Sequence, residues 1–322
     1  MGAVFEGKGK EMTQALQNLF WILIFPGFVF TVCLGLVASW IVRKVSALVQ
    51  WRVGPPFFQP FYDVAKLMGK EVLIPEEAQQ TVFKAAPVVG MAGVLLLSTM
   101  LWRITIDPTR LFVGDIIVAI YLMVLPSLAL ILGSSASASP HAAVGTSREM
   151  KLVMGYELSL VLAFIVVIIK SGGQLSLAAI AQQTPVFSIS GLLAFLAALL
   201  CVQAKLGFVP FDMAEAETEV ASGVLMEYSG ALLAVWKVMQ AMMLVALPLF
   251  LVMVFLGGFT GALWAGIAKY VLVLVLLILI KNTNPRVRID QAMKFFWFYC
   301  GVVLVAAVIL AIIGNSYGIK WL

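Results

Sequence analysis

The sequence predicts an all-α integral membrane protein, a bundle of about eight transmembrane helices with large cytoplasmic loops. Three observations carry this reading. Of its 322 residues 62% are hydrophobic and only 11% are charged, where a soluble domain carries roughly 25% charged residues. Mean hydropathy is +1.06. The apolar residues fall in long unbroken runs, not in the alternating segments of about ten residues that a membrane barrel requires.

The runs of membrane length lie at 19–42, 86–103, 113–133, 152–169, 189–207, 230–256, 262–280 and 297–314. The first is too long for a signal-peptide core and lacks an A-x-A-like cleavage site, so it reads as a span. Position 6 is Glu, which excludes a myristoylation signal at Gly2. Thirteen of the 21 Lys and Arg residues fall in the odd-numbered loops, six on the opposite side, and Lys237 and Lys269 inside spans. Positive-inside asymmetry then puts the odd loops in the cytoplasm and both termini outside a multi-pass cell-membrane protein. The short connection 257–261 makes the sixth and seventh spans antiparallel neighbours. No internal repeat, low-complexity segment or domain linker breaks the chain, so 1–322 reads as a single membrane domain.

Composition also narrows function. The net charge of +5 fits cationic loops at anionic lipid, and no basic run with interleaved aromatics points to nucleic acid. Cys33, Cys201 and Cys300 all sit in apolar runs without a C-x-x-C spacing and read as core packing. The single histidine, His141, cannot build a histidine metal site. Neither phosphate-binding glycine motif occurs. Any cofactor for redox chemistry must therefore be held by partner subunits.

Two loops stand out. In the first cytoplasmic loop, 43–85, the stretch FYDVAKLMGKE places Phe61, Val64, Ala65 and Met68 at helical spacing, with Asp63, Lys66 and Lys70 on other faces. This is a short amphipathic helix on the membrane surface, either a lipid anchor or a docking platform. The acidic cytoplasmic loop, 205–229, carries Asp212, Glu215, Glu217, Glu219 and Glu227 between two apolar runs. Glu215 and Glu219 are one helical turn apart, where like charges repel unless protons or cations intervene. The loop is either a solvated acidic surface or a proton-handling site. Pro210 breaks the helix there. Asp212 with Glu215 three residues on has the form of a capping box.

Inside the spans, Glu157 must face a cavity, pair with a cation, hold a proton or snorkel to the helix start. Lys237 and Lys269 each cost about 2.5–3.5 kcal/mol at mid-span, so each meets an acid or wet cavity, or snorkels. Asp290 and Arg286 could form an i,i+4 pair in its weaker orientation.

Four stretches, QWRVGPPFFQPFYDVAKLMGKE (50–71), SREMKLVMGYE (147–157), VPFDMAEAETEVASGVLMEYSG (209–230) and NPRVRIDQAMKF (284–295), occur in order in or beside the predicted cytoplasmic loops. Together they resemble the membrane subunit of respiratory complex I that forms the quinone chamber, a family shared with energy-converting membrane-bound [NiFe]-hydrogenases. The resemblance covers nearly the whole chain. Gly54 runs directly into Pro55-Pro56-Phe57 without the longer insert of complex I members, and SREM looks like the hydrogenase branch.

The resemblance implies a non-catalytic anchor and coupling subunit of an ion-translocating redox complex, most closely a ferredoxin-linked hydrogenase. The alternatives are the same role in a sulfur-compound-reducing or quinone-reducing relative, and, from a different class, a stand-alone ion transporter. It further implies a hydrogenase-like catalytic subunit and iron–sulfur subunits at the cytoplasmic face, with iron–sulfur clusters and a NiFe centre held there, and antiporter-like membrane subunits alongside. Glu157 matches the family's buried glutamate. With Glu215, Glu217, Glu219, Glu227, Lys237 and Lys269 it would form an ion-transfer path. Arg52, Asp63, Arg148, Glu149, Asp212, Arg286 and Arg288 would shape the cavity or the redox-module interface.

Overall fold

A computed structural model describes residues 17–107, 115–216, 219, 221–259, 263–319 and 321–322. The principal helices are α1 (Phe28–Val49), α2 (Gln59–Met68), α3 (Gln80–Ile106), α4 (Asp115–Ser135), α5 (Pro140–Lys170), α6 (Ile189–Lys205), α7 (Gly230–Phe255), α8 (Leu263–Thr283) and α9 (Ile289–Ser316). Among the described residues a helix stands at each of the eight predicted spans. Seven are long and apolar enough to cross a membrane, while α6, at 17 residues, is shorter.

The helix ends differ from the hydropathy limits where polar residues continue a helix beyond its apolar run. α5 begins at Pro140, whose missing N–H costs nothing in a first turn, and so carries Arg148, Glu149 and Lys151 on a helix where the sequence placed them in a loop. Residues 17–23 are helical, and the chain breaks at 24–27, around Pro26, before α1 starts. Residues 295–300 of α9 form a π-helical turn. Its wider winding changes the backbone pairing, and the Phe296 carbonyl accepts a hydrogen bond from Ser159 Oγ at 2.9 Å.

α7 is the axis of the bundle. It packs on α1, α2, α3, α6 and α8, and 94% of its most apolar window is buried, against 28% for α8 and α9. A helix apolar all round belongs in such a position. α1 reaches it through Gly35, where an added Cβ would stand 2.5 Å from the Ala241 carbonyl oxygen. Gly35→Val is expected to push the helices apart and cost about 1–3 kcal/mol, read as a lower melting temperature in detergent.

Two expectations about packing are corrected. Cys201 and Cys300 are buried, but Cys33 is exposed on the outer side of α1. The amphipathic helix α2 turns Pro60, Phe61, Val64 and Leu67 inward, whereas Ala65 and Met68 are exposed. Asp63 lies on that inward side because Arg43 of α1 waits there.

Candidate ion-transfer site

Residues 206–216 and 221–229 of the acidic loop have little regular structure, apart from a short 3₁₀ turn at Gly223–Leu225. Two arginines hold it. Arg286 grips Asp212 with both edges of its guanidinium, Nε to Oδ1 at 2.7 Å and Nη2 to Oδ2 at 2.6 Å. The backbone beside it adds Val287 N–H to the Pro210 carbonyl at 3.1 Å. Arg148 on α5 donates to Glu219 Oε2 at 2.6 Å and to the Met213 carbonyl at 3.3 Å. Gly145, one turn before Arg148, lets the loop settle on α5, since a Cβ there would lie 2.8 Å from Val224 N.

These contacts overturn two readings. Asp212 does not cap a helix, because the residues directly after it, 213–216, are not helical, and Arg286 takes Asp212 as partner in place of Asp290. A two-pronged guanidinium clamp is geometry that an ammonium cannot copy. Arg286→Lys is expected to keep the charge yet lose about 1–3 kcal/mol of loop anchoring, checked by faster limited proteolysis within 206–229.

Asp212 and Glu219 meet arginines, and Glu215 turns toward α7. Its Oε1 accepts from Gln240 Nε2 of α7 at 2.7 Å. Glu215 and Gln240 line two cavities at once. The outer one, about 310 Å³, lies between α1, α2, α7 and α8 and is lined by Arg43, Asp63, Lys237 and Lys281. The inner one, about 40 Å³, is walled by Ser127, Glu149, Lys205 and Phe211. It has room for a few waters, since one needs about 10–15 Å³ of such space.

Beyond the inner cavity the charged chain continues through Lys205. The sequence counted Lys205 as a loop cation, yet its side chain is 0% exposed. Its ammonium donates to Glu157 Oε1 and to the Met123 carbonyl, the latter at 3.0 Å. It also stands 5.1 Å from the centre of the Tyr156 ring, a cation–π contact. As the last residue of α6 it benefits from the negative end of that helix. Tyr156 in turn shares a 3.0 Å hydrogen bond with Ser127.

Glu149 is buried and lies within electrostatic reach of Glu215 and Lys205. Glu149 and Glu157 stand eight residues apart on α5, close to one face and roughly 12 Å along the axis. Glu149 therefore belongs with the inner chain, not only with a docking face. Lys205 escaped sequence reading because it sits beside the loop boundary. The available signal was that a lysine at the end of a short apolar helix can fold back along it to reach a buried acid.

At the mouth of the outer cavity, Arg43 Nη1 meets Asp63 Oδ2 at 2.8 Å and Gln59 Nε2 meets Oδ1 at 2.9 Å. Burial pushes the Asp63 carboxyl up. The hydrogen bonds from Arg43 and Gln59, with the charges of Arg43 and Lys66, outweigh this and hold it below the usual carboxylate range. A carboxyl depressed by folding stabilises the fold above its unfolded pKa, so this tie is whole at neutral pH and is lost as pH falls through the lowered value.

The remaining predicted residues divide. Lys237 joins the chain by donating to Gln240 Oε1 at 3.2 Å. Lys269 is apart from it, donating to the Gly258 carbonyl at 3.0 Å near the opposite end of the bundle. Glu227 lines neither cavity. Arg52 is exposed on the first loop. The exposed Arg288 contributes its backbone N–H to Gln291 Oε1 at 3.3 Å as α9 begins. Glu217 lies outside the described residues.

An all-helical, multi-pass membrane protein in which a polar cavity opens on one face and leads to buried ionisable groups is the class that this fold and site define. The chain belongs to the NADH dehydrogenase family, whose model matches residues 21–312. It is 34% identical over 311 residues to a subunit of the NADH-quinone oxidoreductase of Syntrophotalea carbinolica, covering 89% of this chain and 93% of that one. It is also 34% identical over 306 residues to the corresponding protein of Thermomicrobium roseum, covering 84% and 89%. Among solved structures it resembles a chain of an archaeal respiratory membrane complex, the membrane-bound sulfane sulfur reductase. That match has a TM-score of 0.79 and 27% identity, over 88% of this chain and 96% of the other.

Proposed function

We propose that this chain is the membrane anchor and coupling subunit of a complex I-like, multisubunit redox complex that moves protons or sodium ions. The observation that carries the reading is the graded polar route. It starts in an open cavity under the elaborated loops, passes Glu215 and Gln240, and continues to Glu149, Lys205 and Glu157. The elaborated loops face the cytoplasm, both termini lie outside, and the clamped loop 206–229 meets a hydrogenase-like catalytic subunit and its iron–sulfur partners. Electron carriers, iron–sulfur clusters and a NiFe centre, belong to those partners. Antiporter-like subunits flank the chain in the membrane.

The mechanism is electrostatic. A change of charge beneath the redox module alters the field at Glu215, which stands in both cavities. Glu149 senses Glu215 and Lys205, and Lys205 is bonded to Glu157, so each group's occupancy biases the next. Buried charges interact more strongly than solvated ones, which lets a change at the loop face register deep in the bundle.

The preferred form is a ferredoxin-linked [NiFe]-hydrogenase, supported by the direct Gly54–Pro55 junction and by Arg148 and Glu149 of SREM. A second reading, the same role in a sulfur-compound reductase, is favoured by the likeness to the sulfane sulfur reductase chain. The test is nickel and iron content of the native complex captured in mild detergent through a tag on this chain. Iron with equimolar nickel is the expected result. Iron alone selects the second reading or a quinone reductase. An isolated chain without metal that moves ions by itself in liposomes would overturn the coupling role.

A further inference from the structure

The outer cavity carries more positive charge than its own carboxylates neutralise. Arg43, Lys237 and Lys281 line it together with Asp63 and Glu215. Asp63 is engaged by Arg43, and Glu215 by the Gln240 amide. Lys237 is exposed, and its hydrogen bond goes to a neutral amide. Lys281 rests over the Phe208 ring, 4.3 Å from its centre. Neither lysine forms a carboxylate ion pair among the described residues. Asp212, held by Arg286, is near enough to Lys281 to attract it, and Arg43 is near enough for their like charges to repel. Cations collected in a partly dry recess are costly unless an anion joins them.

Part of the wall is apolar: Leu36, Val42, Leu67 and Leu244 stand beside the lysines, with Ser39 and Gln240 among them. The cavity lies next to α2, the amphipathic surface helix, and so at the depth of lipid head groups. A site with ammonium groups on one side and aliphatic side chains on the other fits an amphiphile with an anionic head.

We propose that the cavity between α1, α2, α7 and α8 binds the phosphate head group of an anionic membrane lipid, with Lys237 and Lys281 as its ligands. The lipid neutralises the recess, and its first methylenes cover Leu36, Leu67 and Leu244. The binding chemistry is that of a phosphate ester, available from a phospholipid or from free phosphate, and the apolar wall favours the lipid. This inference does not depend on whether the complex pumps ions.

The test is native mass spectrometry of the detergent-purified complex, with lipid extraction and phosphorus assay in parallel. Wild-type complex is stripped and then titrated with phosphatidylglycerol, phosphatidylcholine or inorganic phosphate. One tightly held phosphatidylglycerol is expected, with little retention of the other two probes. Each lysine near a charged membrane surface contributes about fivefold to anion binding, so Lys237→Gln with Lys281→Gln should weaken retention about twenty-five-fold. Lys237→Arg keeps a cation at a cavity-facing position and should retain the lipid, which separates charge loss from misfolding. Equal retention of phosphatidylcholine, full retention by the double glutamine variant, inorganic phosphate binding as well as the lipid, or a stoichiometric co-purifying quinone would each overturn the proposal.

Discussion

Lys205→Met is expected to lower the stability of the membrane bundle by about 3–5 kcal/mol, read from denaturation in mild detergent. The size follows from burial. The Lys205 side chain is 0% exposed and that of Glu157 19% exposed, so removing the ammonium leaves a carboxylate without its ion-pair partner in a low-dielectric setting. Part of the loss comes from the Met123 carbonyl and the Tyr156 ring, which lose the same cation. Adding Glu157→Leu should recover most of the stability, because an apolar pair of similar volume avoids the desolvation of both charges. The same double variant should fail to build an ion gradient. Recovery of both stability and gradient would assign the pair to structure alone.

Glu215→Gln is expected to uncouple the complex. Electron transfer measured with a soluble acceptor should stay within about twofold of wild type, while ion-gradient formation in vesicles falls about a hundredfold, the lower end of the range for losing a proton-transfer group. The amide has the shape of the carboxylate and can still hydrogen-bond Gln240, so the packing between loop and α7 survives. What it lacks is a charge that varies. Glu219→Gln is the matched control. Glu219 lines neither cavity and pairs with Arg148 at the surface, where an ion pair contributes about 0–1 kcal/mol. Its gradient should remain near wild type. Equal effects of the two substitutions would show that the loop's total charge matters, not the place of Glu215.

Sequence and structure agree where a single physical quantity decides the outcome. Long unbroken runs of apolar residues mark the helices of the bundle, seven of them of membrane length among the described residues, because a helix satisfies the backbone of such a run in lipid within one segment. The acidic cluster could not be resolved that way. Five acids in one loop look alike in one dimension, and only the fold shows that Arg286 and Arg148, separated from them by about 70 residues, neutralise Asp212 and Glu219. Glu215 becomes distinctive by its place, bonded to Gln240 of α7 and lining both cavities. Lys205 was hidden for a related reason. Hydropathy assigns a cation at a span's edge to the water side, whereas Glu157 and the Met123 carbonyl hold this one inside. The capping-box pattern at Asp212 shows the opposite failure, a sound local rule overridden by a stronger distant partner.

The π-helical turn in α9 gives that helix slack in residue count. Residues 295–300 take up one residue more than an α-helical turn would, and beyond them Leu304, Ala307 and Ala311 are each fully buried. Deleting one residue from the turn would let it close to ordinary α-helical winding and leave those three in place, whereas deleting one from 301–303 would turn everything after it by about 100°, carrying them outward and swinging Val305 and Ile309, now exposed, toward the bundle. Trp297, Phe298 and Tyr299 are all exposed, so the loss of one of them should be tolerated far better than a deletion just beyond the turn. The aromatic segment thus acts as an expansion joint for the last span, and a scan of single deletions should pass through it and leave a sharp gap only after it.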